Sequence, residues 1–192
     1  MGTLGSGNHS YDSLSRIWQA YTDGNLWGET YSIDAWGNLY GIGTYSGKPA
    51  GETLSQGINT ANQLTNACSG NCYDTAGNLL SDGLNSYTYN AENQTSVGAG
   101  VTYYYDCDGK RVRKSTGTLY WYGTSSDALD ETDAGGNLTN EYIFFGGKRI
   151  ARRDASSNVF YYFADHLGTS RAIVQAGQTS PCYDQDFYPY GR

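Results

Sequence analysis

The sequence predicts an all-β fold built from consecutive antiparallel β-hairpins. Three observations lead to this prediction: 26 glycines and 19 tyrosines in 192 residues, and a short motif that recurs along the chain. Glycine permits tight turns, and tyrosine favours strands. No stretch rich in Ala, Leu and Glu repeats with the helical period of about 3.6 residues, which disfavours a helical bundle. We expect the hairpins to stack side by side into a curved, twisted sheet.

Size and charge are typical of a folded chain. A mass of 20.9 kDa fits one domain, and a net charge of −7 is too small for intrinsic disorder despite the few aliphatic residues. Aromatic residues make up 15% of the chain and supply apolar area, so we expect an aromatic core. No apolar run reaches the about 18 residues of a membrane-spanning helix. Met1–Ser10 has neither the basic start nor the apolar stretch of a signal peptide.

The recurring motif is an aromatic or apolar residue, Asp or Asn, two variable residues, Gly or Asn, a polar residue and an aliphatic one. An Asp or Asn that starts a turn can cap the next backbone amides, and the Gly or Asn three positions later suits a left-handed conformation. Six copies are clear: Tyr11–Ile17, Ile33–Leu39, Tyr73–Leu79, Tyr89–Thr95, Tyr105–Val112 and Thr132–Leu138.

The segments between the motifs have the composition of strands. They are β-branched or aromatic, and we expect their tyrosines to form ladders along one face with each hydroxyl reaching a backbone group or water. The Gly-rich stretch Tyr40–Thr53 breaks the rhythm, and it is either a loop insertion near residues 40–60 or a degenerate repeat. The clearest strands are Tyr87–Tyr89, Val101–Tyr105, Thr118–Tyr122, Glu141–Phe145 and Val159–Phe163.

This motif resembles the YD repeats of the Rhs (rearrangement hotspot) family. Tyr161–Arg171 contains Asp165-His166-Leu167-Gly168 and is similar to the segment that opens the Rhs-associated core, while Phe187–Arg192 is similar to the element that follows it. The resemblance divides the chain into a YD-repeat sheet over residues 1–160 and the start of the core over residues 161–192, continuous with the same sheet.

The resemblance implies a structural function. Members of the family form β-rich shells in secreted or cell-surface toxins, so we expect a partial shell segment with no chemistry of its own, extracellular in the parent protein. The family core continues into an autoproteolytic segment that carries catalytic aspartates. Because this chain ends at Arg192, we expect it to be truncated before that segment.

An enzyme is the alternative hypothesis. Asp165 and His166 are an adjacent acid and imidazole, the usual start of a general-base hypothesis, although the repeat context favours Asp165 as the cap of a turn completed by Gly168. Two carboxylates along an aromatic groove could instead make a glycoside hydrolase. The candidate carboxylates are Asp130, Glu131, Glu141 and Asp165.

A carbohydrate-binding surface without catalysis is a third hypothesis. Sugars stack on aromatic faces while amides and carboxylates take their hydroxyls. The alternative to sugar binding is that the four tryptophans, Trp18, Trp27, Trp36 and Trp121, are buried in the protein core. The candidate stacking residues are Tyr104, Trp121, Tyr122 and Tyr162.

Other partners are predicted from charge and from sheet edges. Eight of the twelve basic residues lie in Lys110–Lys114 and Lys148–Arg153, each beside an aromatic strand, but the acidic pI of about 4.6 disfavours nucleic acid. Arg111 and Arg113 alternate at strand period, which is typical of a solvated face. The open edges of a sheet favour self-association.

No metal or cofactor is expected. The chain has two histidines, and the spacing of Cys68 and Cys72 does not match a zinc site. These two cysteines form either a small disulfide loop in an oxidising compartment or a pair of free thiols at a turn.

Overall fold

The computed structural model describes residues 7–49, 51, 53–187 and 190, and within them the fold is all-β, as predicted. The described residues form sixteen strands and no helix. The chain divides into two compact units, one of Met1–Cys72 with Phe187–Arg192 and one of Tyr73–Asp186. In both units the strands pair in chain order and antiparallel, which is the arrangement that consecutive hairpins give.

The first unit contains a five-stranded sheet in the order β1-β2-β3-β4-β5. The stretch predicted as a loop or a degenerate repeat includes most of β4, followed by a connection to a two-residue strand. The strands are β1 (Gly7–Tyr11), β2 (Ile17–Thr22), β3 (Gly28–Ile33), β4 (Leu39–Thr44) and β5 (Leu54–Ser55).

The second unit contains an eleven-stranded sheet that runs in order from β6 to β16. Val159–Ala164 lies across the domain boundary expected at residue 160 and belongs to this sheet. The strands are β6 (Tyr87–Tyr89), β7 (Thr95–Gly98), β8 (Val101–Tyr105), β9 (Arg111–Lys114), β10 (Leu119–Tyr122), β11 (Ala128–Thr132), β12 (Leu138–Phe145), β13 (Lys148–Asp154), β14 (Val159–Ala164), β15 (Ser170–Gln175) and β16 (Tyr183–Asp184).

Nine five-residue turns of one geometry occur within the described residues. In each, the first residue's amide donates to the fifth residue's carbonyl, and its side-chain oxygen accepts from the third and fifth amides. The fourth residue always has positive φ, between 58° and 91°. The first residues are Asp12, Asp34, Asn59, Asp74, Asn90, Asp106, Asp133, Asp154 and Asp165.

In seven of the nine described turns the first and fifth side chains are hydrogen-bonded to each other. Where the first residue is Asp, its second oxygen can only accept, and an Asn at the fifth position donates to it, as Asn78 does to Asp74 over 3.0 Å. Where the first residue is Asn, its spare amide needs an acceptor, and Gln94 provides one for Asn90 at 2.8 Å. The turn therefore depends on side-chain chemistry at two positions.

Tyrosine hydroxyls link successive repeats of the second unit. Tyr89 donates to the carbonyl of Leu79 at 2.9 Å, and Tyr105 donates to that of Thr95 at 2.8 Å. Each acceptor is the residue directly after a five-residue turn, and each donor precedes the next turn. The predicted tyrosine ladder is thus present in part: these two hydroxyls satisfy backbone carbonyls, whereas the Tyr87 hydroxyl donates to the Asp82 side chain.

The core of the first unit is small. Ala20, Tyr31 and Ile42 are buried and are covered by half-buried aliphatic residues and Trp27. The Glu29 carboxylate is also buried and accepts a 2.8 Å hydrogen bond from the Tyr31 hydroxyl. The expected aromatic core is therefore only partly present, because small and aliphatic side chains contribute as much as the tyrosine.

In the second unit most aromatic rings cover the faces of a single sheet. Among the described residues of this unit, Tyr120 and Ala151 are the buried hydrophobic side chains. Trp121 is 52% exposed and does not belong to a core, nor do Trp18 and Trp36 in the first unit. Many of these rings are half-buried, and each can pack against its cross-strand neighbours.

Candidate functional site

The register of the larger sheet assigns its central side chains to two faces. We define the Arg111 face as the side on which Arg111 and Tyr120 lie, and the Trp121 face as the opposite side. Side chains alternate along a strand, and directly paired residues share a face. The Arg111 face carries Tyr103, Tyr105, Arg111, Tyr120, Tyr122, Glu131, Asn140, Tyr142, Arg152, Phe160 and Tyr162, and the Trp121 face carries Tyr104, Arg113, Trp121, Asp130, Glu141, Arg153 and Tyr161.

Two of the predicted catalytic carboxylates lie on opposite faces. Glu131 is paired with Asn140, whose side-chain amide donates to it over 3.1 Å. Glu141 is paired with Asp130 on the other face. Because a sheet separates Glu131 from Glu141, these two side chains do not meet at one site.

Glu131 belongs to a polar cluster on the Arg111 face. Arg152 donates to the Asn140 side chain at 2.9 Å, and the Arg149 guanidinium lies 4.1 Å from the centre of the Tyr142 ring. Burial raises the pKa of Tyr142 to about 12, and the neighbouring Glu131 charge adds to this effect. Tyr142 is therefore a neutral hydrogen-bond donor at physiological pH.

Asp130 and Glu141 are the candidate carboxylates that the structure does bring together. Residues directly opposite in antiparallel strands have Cβ atoms about 4.5–5.5 Å apart. Glu141 is already engaged, because Nε of Arg153 lies 2.7 Å from its carboxylate. The pair sits beside Trp121, which is directly opposite Asp130.

Asp165 and His166 lie in the turn between β14 and β15. The Asp165 Oδ1 accepts the Leu167 and Thr169 amides at 2.9 and 3.0 Å. Partial burial would raise the pKa of Asp165, but these amides and the Arg171 charge outweigh it and hold the pKa below its ordinary value. Asp165 thus caps its turn, and its catalytic role stays a prediction.

The predicted stacking residues are divided between the faces. Tyr104 and Trp121 are 43% and 52% exposed and line a groove of about 570 Å³ on the Trp121 face. Tyr122 and Tyr162 lie on the Arg111 face, and the Tyr122 hydroxyl is bound to the Arg111 carbonyl at 2.8 Å. Tyr122 nevertheless also lines the groove of Tyr104 and Trp121, so a ligand there would meet three of these four rings, and Tyr162 is the one left out.

A bulge in β9 decides which face its arginines occupy. Tyr105 pairs with Arg111, but Tyr104 pairs with Arg113, so Val112 is the extra residue. Arg111 and Arg113 consequently point to opposite faces, whereas an unbroken strand would place both on one. Sequence reasoning assigned them to a solvated face and missed that each stacks on tyrosine rings, with Arg113 4.9 Å from the Tyr104 ring centre.

The cysteines form one disulfide and two free thiols. Cys68 and Cys72 are bonded, which resolves the two alternatives in favour of the small loop, and Cys107 and Cys182 are exposed thiols. The described side chains include no group of three or more His, Cys, Asp and Glu residues suited to holding a metal ion. Within the described part of the chain, no helix has the length and hydropathy needed to cross a membrane.

Comparison with known proteins gives relatives in sequence and in fold. No protein-family model matches the chain. It is 31% identical over 169 residues to the tRNA nuclease WapA of Bacillus subtilis strain 168, and equally to the tRNA3(Ser)-specific nuclease WapA of Bacillus spizizenii, covering 81% of this chain. The chain spans about 7% of the length of these curated relatives.

Solved toxin structures share the fold. The TcdB2-TccC3-TEV structure covers 96% of this chain with a TM-score of 0.65 at 16% identity, and the Tc holotoxin pore of Photorhabdus luminescens covers the same share with a TM-score of 0.64 at 14% identity. Each match uses 12% of the larger chain. The sequence relatives and the shared fold together support the assignment of this chain to the Rhs type.

Proposed function

We propose that the chain is a structural segment of a YD-repeat sheet in a larger toxin-delivery protein, and that it performs no chemistry itself. The observation that carries the proposal is the set of nine turns with one geometry in the described residues, with tyrosine hydroxyls that join successive repeats in the second unit. Such a repeat extends a sheet by adding identical hairpins, each of which supports the next. The Asp and Asn side chains that recur in the repeat are used to build turns.

The exposed surface of the chain agrees with a segment that depends on more protein. On the Trp121 face of the larger sheet, large apolar and aromatic side chains are exposed, among them Tyr104, Trp121, Ile143 and Tyr161. We propose that the parent protein uses this sheet as part of a wall.

We propose an extracellular or cell-surface location for the parent protein. The Cys68–Cys72 disulfide supports this location, since disulfides persist in oxidising compartments. The relatives named as tRNA nucleases are far longer than this chain, and we propose that the segment carries or presents the active part of such a protein.

The first prediction is that the purified chain has no hydrolytic turnover. A panel of chromogenic aryl glycosides and esters together with labelled tRNA should give the rate of a protein-free blank. The variants Asp165→Asn and Glu141→Gln, measured beside the natural sequence, should give the same blank rate. The Asp165 carboxylate already accepts backbone amides of its turn, and the Glu141 carboxylate is already paired with Arg153.

Turnover that Asp165→Asn or Glu141→Gln abolishes would contradict the structural proposal. Glu131→Gln serves as the matched control, since Glu131 lies on the opposite face from Glu141. Loss in only one of the two glutamate variants would place the active site on that face.

A carbohydrate-binding surface is the second candidate function, and one observation favours it. On the Trp121 face, exposed Trp121 and Tyr104 line a groove beside Asp130 and Glu141, which combines stacking rings with hydroxyl-binding carboxylates. For Asp130 and Glu141 to hydrolyse a bound sugar, the ion pair between Glu141 and Arg153 would first have to break. Tyr122 also lines this groove, whereas Tyr162 does not.

The second prediction is that the chain self-associates. β16 is an edge strand of the larger sheet and pairs only with β15 among the described strands, whereas the outer side of β6 at the other edge is partly occupied, since the Tyr87 amide donates to the Leu80 carbonyl. An open edge offers unpaired amides and carbonyls to another strand. Light scattering should give a mass that rises above 20.9 kDa with concentration. A constant monomer mass at high concentration would remove this proposal.

A further inference from the structure

The Arg111 side chain lies between aromatic rings, and one of its hydrogen-bond donors has no partner among the described residues. The guanidinium carbon lies 5.3 Å from the Tyr103 ring centre and 5.0 Å from that of Tyr120. Its Nε is buried without a hydrogen-bond partner, and none of the ion pairs between described residues includes Arg111. A guanidinium has five N–H donors, and a buried donor without an acceptor needs an explanation.

Arg111 lies at one side of a groove of about 350 Å³ with aromatic walls. Tyr87, Tyr89, Tyr103 and Tyr105 line the groove, and Arg111 is the one charged residue among the described lining side chains. The remaining lining residues are small or aliphatic, with one Thr.

The tyrosine hydroxyls of this groove are largely committed elsewhere. Tyr87 donates to Asp82 at 2.6 Å, while Tyr89 and Tyr105 donate to backbone carbonyls in the ladder. The rings are therefore available mainly as apolar surface. A ligand in this groove would contact the apolar faces of the tyrosine rings and the Arg111 guanidinium.

We propose that this groove binds a carboxylate carried on an apolar body. A guanidinium matches the planar carboxylate with two parallel N–H donors, and contacts with two tyrosine rings restrain the position of Arg111. A single cation balances one negative charge, which favours a carboxylate over a phosphate dianion. The carboxylate belongs either to a small organic acid or to an acidic side chain of a polypeptide.

Arg113 provides the matched control on the opposite face. It also stacks on one tyrosine ring, but it is exposed, and the groove beside it includes the Asp106 carboxylate. An incoming carboxylate would meet an acid there. Arg113→Gln should therefore leave binding unchanged.

The test is an amide chemical-shift titration of the full chain with phenylacetate, beside its uncharged analogue phenylacetamide. Phenylacetate should shift the amides of Tyr103, Tyr105 and Arg111, and phenylacetamide should not. Arg111→Gln should weaken phenylacetate binding about tenfold or more, because it removes charge-assisted hydrogen bonds. Arg111→Lys, which keeps the charge but not the planar fork, should weaken it less.

A second arm distinguishes the two sources of the carboxylate. The capped dipeptide acetyl-Phe-Asp-amide is titrated beside acetyl-Phe-Asn-amide. Tighter binding of the acidic dipeptide than of phenylacetate assigns the groove to an acidic polypeptide, and the reverse order assigns it to a small acid.

Three results would overturn the proposal. The first is that neither phenylacetate nor the acidic dipeptide binds. The second is that Arg111→Gln and the natural chain bind phenylacetate with equal affinity. The third is that the largest amide shifts occur at Arg113 and Trp121. If Arg111→Gln fails to fold, the amide shifts of the natural chain still show where phenylacetate binds. The comparison with phenylacetamide still shows whether binding requires the negative charge.

Discussion

Replacing Tyr120 with Ala should destabilise the Tyr73–Asp186 unit by about 3 to 5 kcal/mol, the usual cost of deleting a buried aromatic side chain. Tyr120 is 9% exposed, and the charged groups of Arg111 and Lys114 lie 5.0 and 5.5 Å from its ring centre. Truncation removes the ring area and both cation–π contacts. This loss is comparable to about half of the stability of an ordinary domain. Urea unfolding followed by circular dichroism measures it.

Tyr161→Ala is the matched control for this prediction. Tyr161 lies on the Trp121 face of the same sheet and is 47% exposed, so truncation should cost less than about 1 kcal/mol. Equal urea midpoints for the two variants would show that Tyr120 is not the packed centre of the unit.

The stability of the chain should fall as pH drops below about 4, because the turn carboxylates become protonated. Hydrogen bonds from the Asn at the fifth position, together with backbone amides, hold the pKa of four turn aspartates below the ordinary value of 3.8. The four are Asp34, Asp74, Asp133 and Asp154.

The sign follows from proton binding. Since the folded pKa of each group is lower, the unfolded chain binds more protons in this pH range. The stabilisation is complete above the unfolded pKa near 3.8 and is lost as pH falls through the folded pKa. The urea midpoint should therefore be steady between about pH 7 and 5 and should decline below about pH 4.

Asp133→Asn tests whether the turns cause this decline. At neutral pH the variant should be less stable, because the Asn137 amide loses the carboxylate oxygen to which it donates at 2.9 Å. Below about pH 4 its midpoint should fall less steeply than that of the natural chain, since one fewer group takes up a proton. Parallel pH profiles for the two proteins would exclude Asp133 as a contributor.

The turns could be predicted from sequence because their physics is local. All the hydrogen bonds that define one turn join residues within five positions, and the left-handed fourth residue selects Gly or Asn. The Asp154 turn was missed because Arg153 precedes it, where the motif has an aromatic or apolar residue. The Asn59 turn fits the motif and was overlooked beside the Gly-rich stretch.

The candidate site could not be predicted because it depends on register. Glu131 and Glu141 are ten positions apart, and only the pairing of β11 with β12 places them on opposite faces while bringing Asp130 to Glu141. A shift of one residue would exchange the faces. The bulge at Val112, which separates Arg111 from Arg113, likewise arises from pairing with β8.

The sequence by itself determined the all-β class, most of the capped turns and the tyrosine ladder, since these follow from composition and from contacts between neighbouring hairpins. Only the tertiary structure decided the division into two units, the disulfide between Cys68 and Cys72, and the burial of Tyr120 beneath Arg111. The physical reason is that faces and burial are set by cross-strand pairing and bulges, which a local motif does not encode.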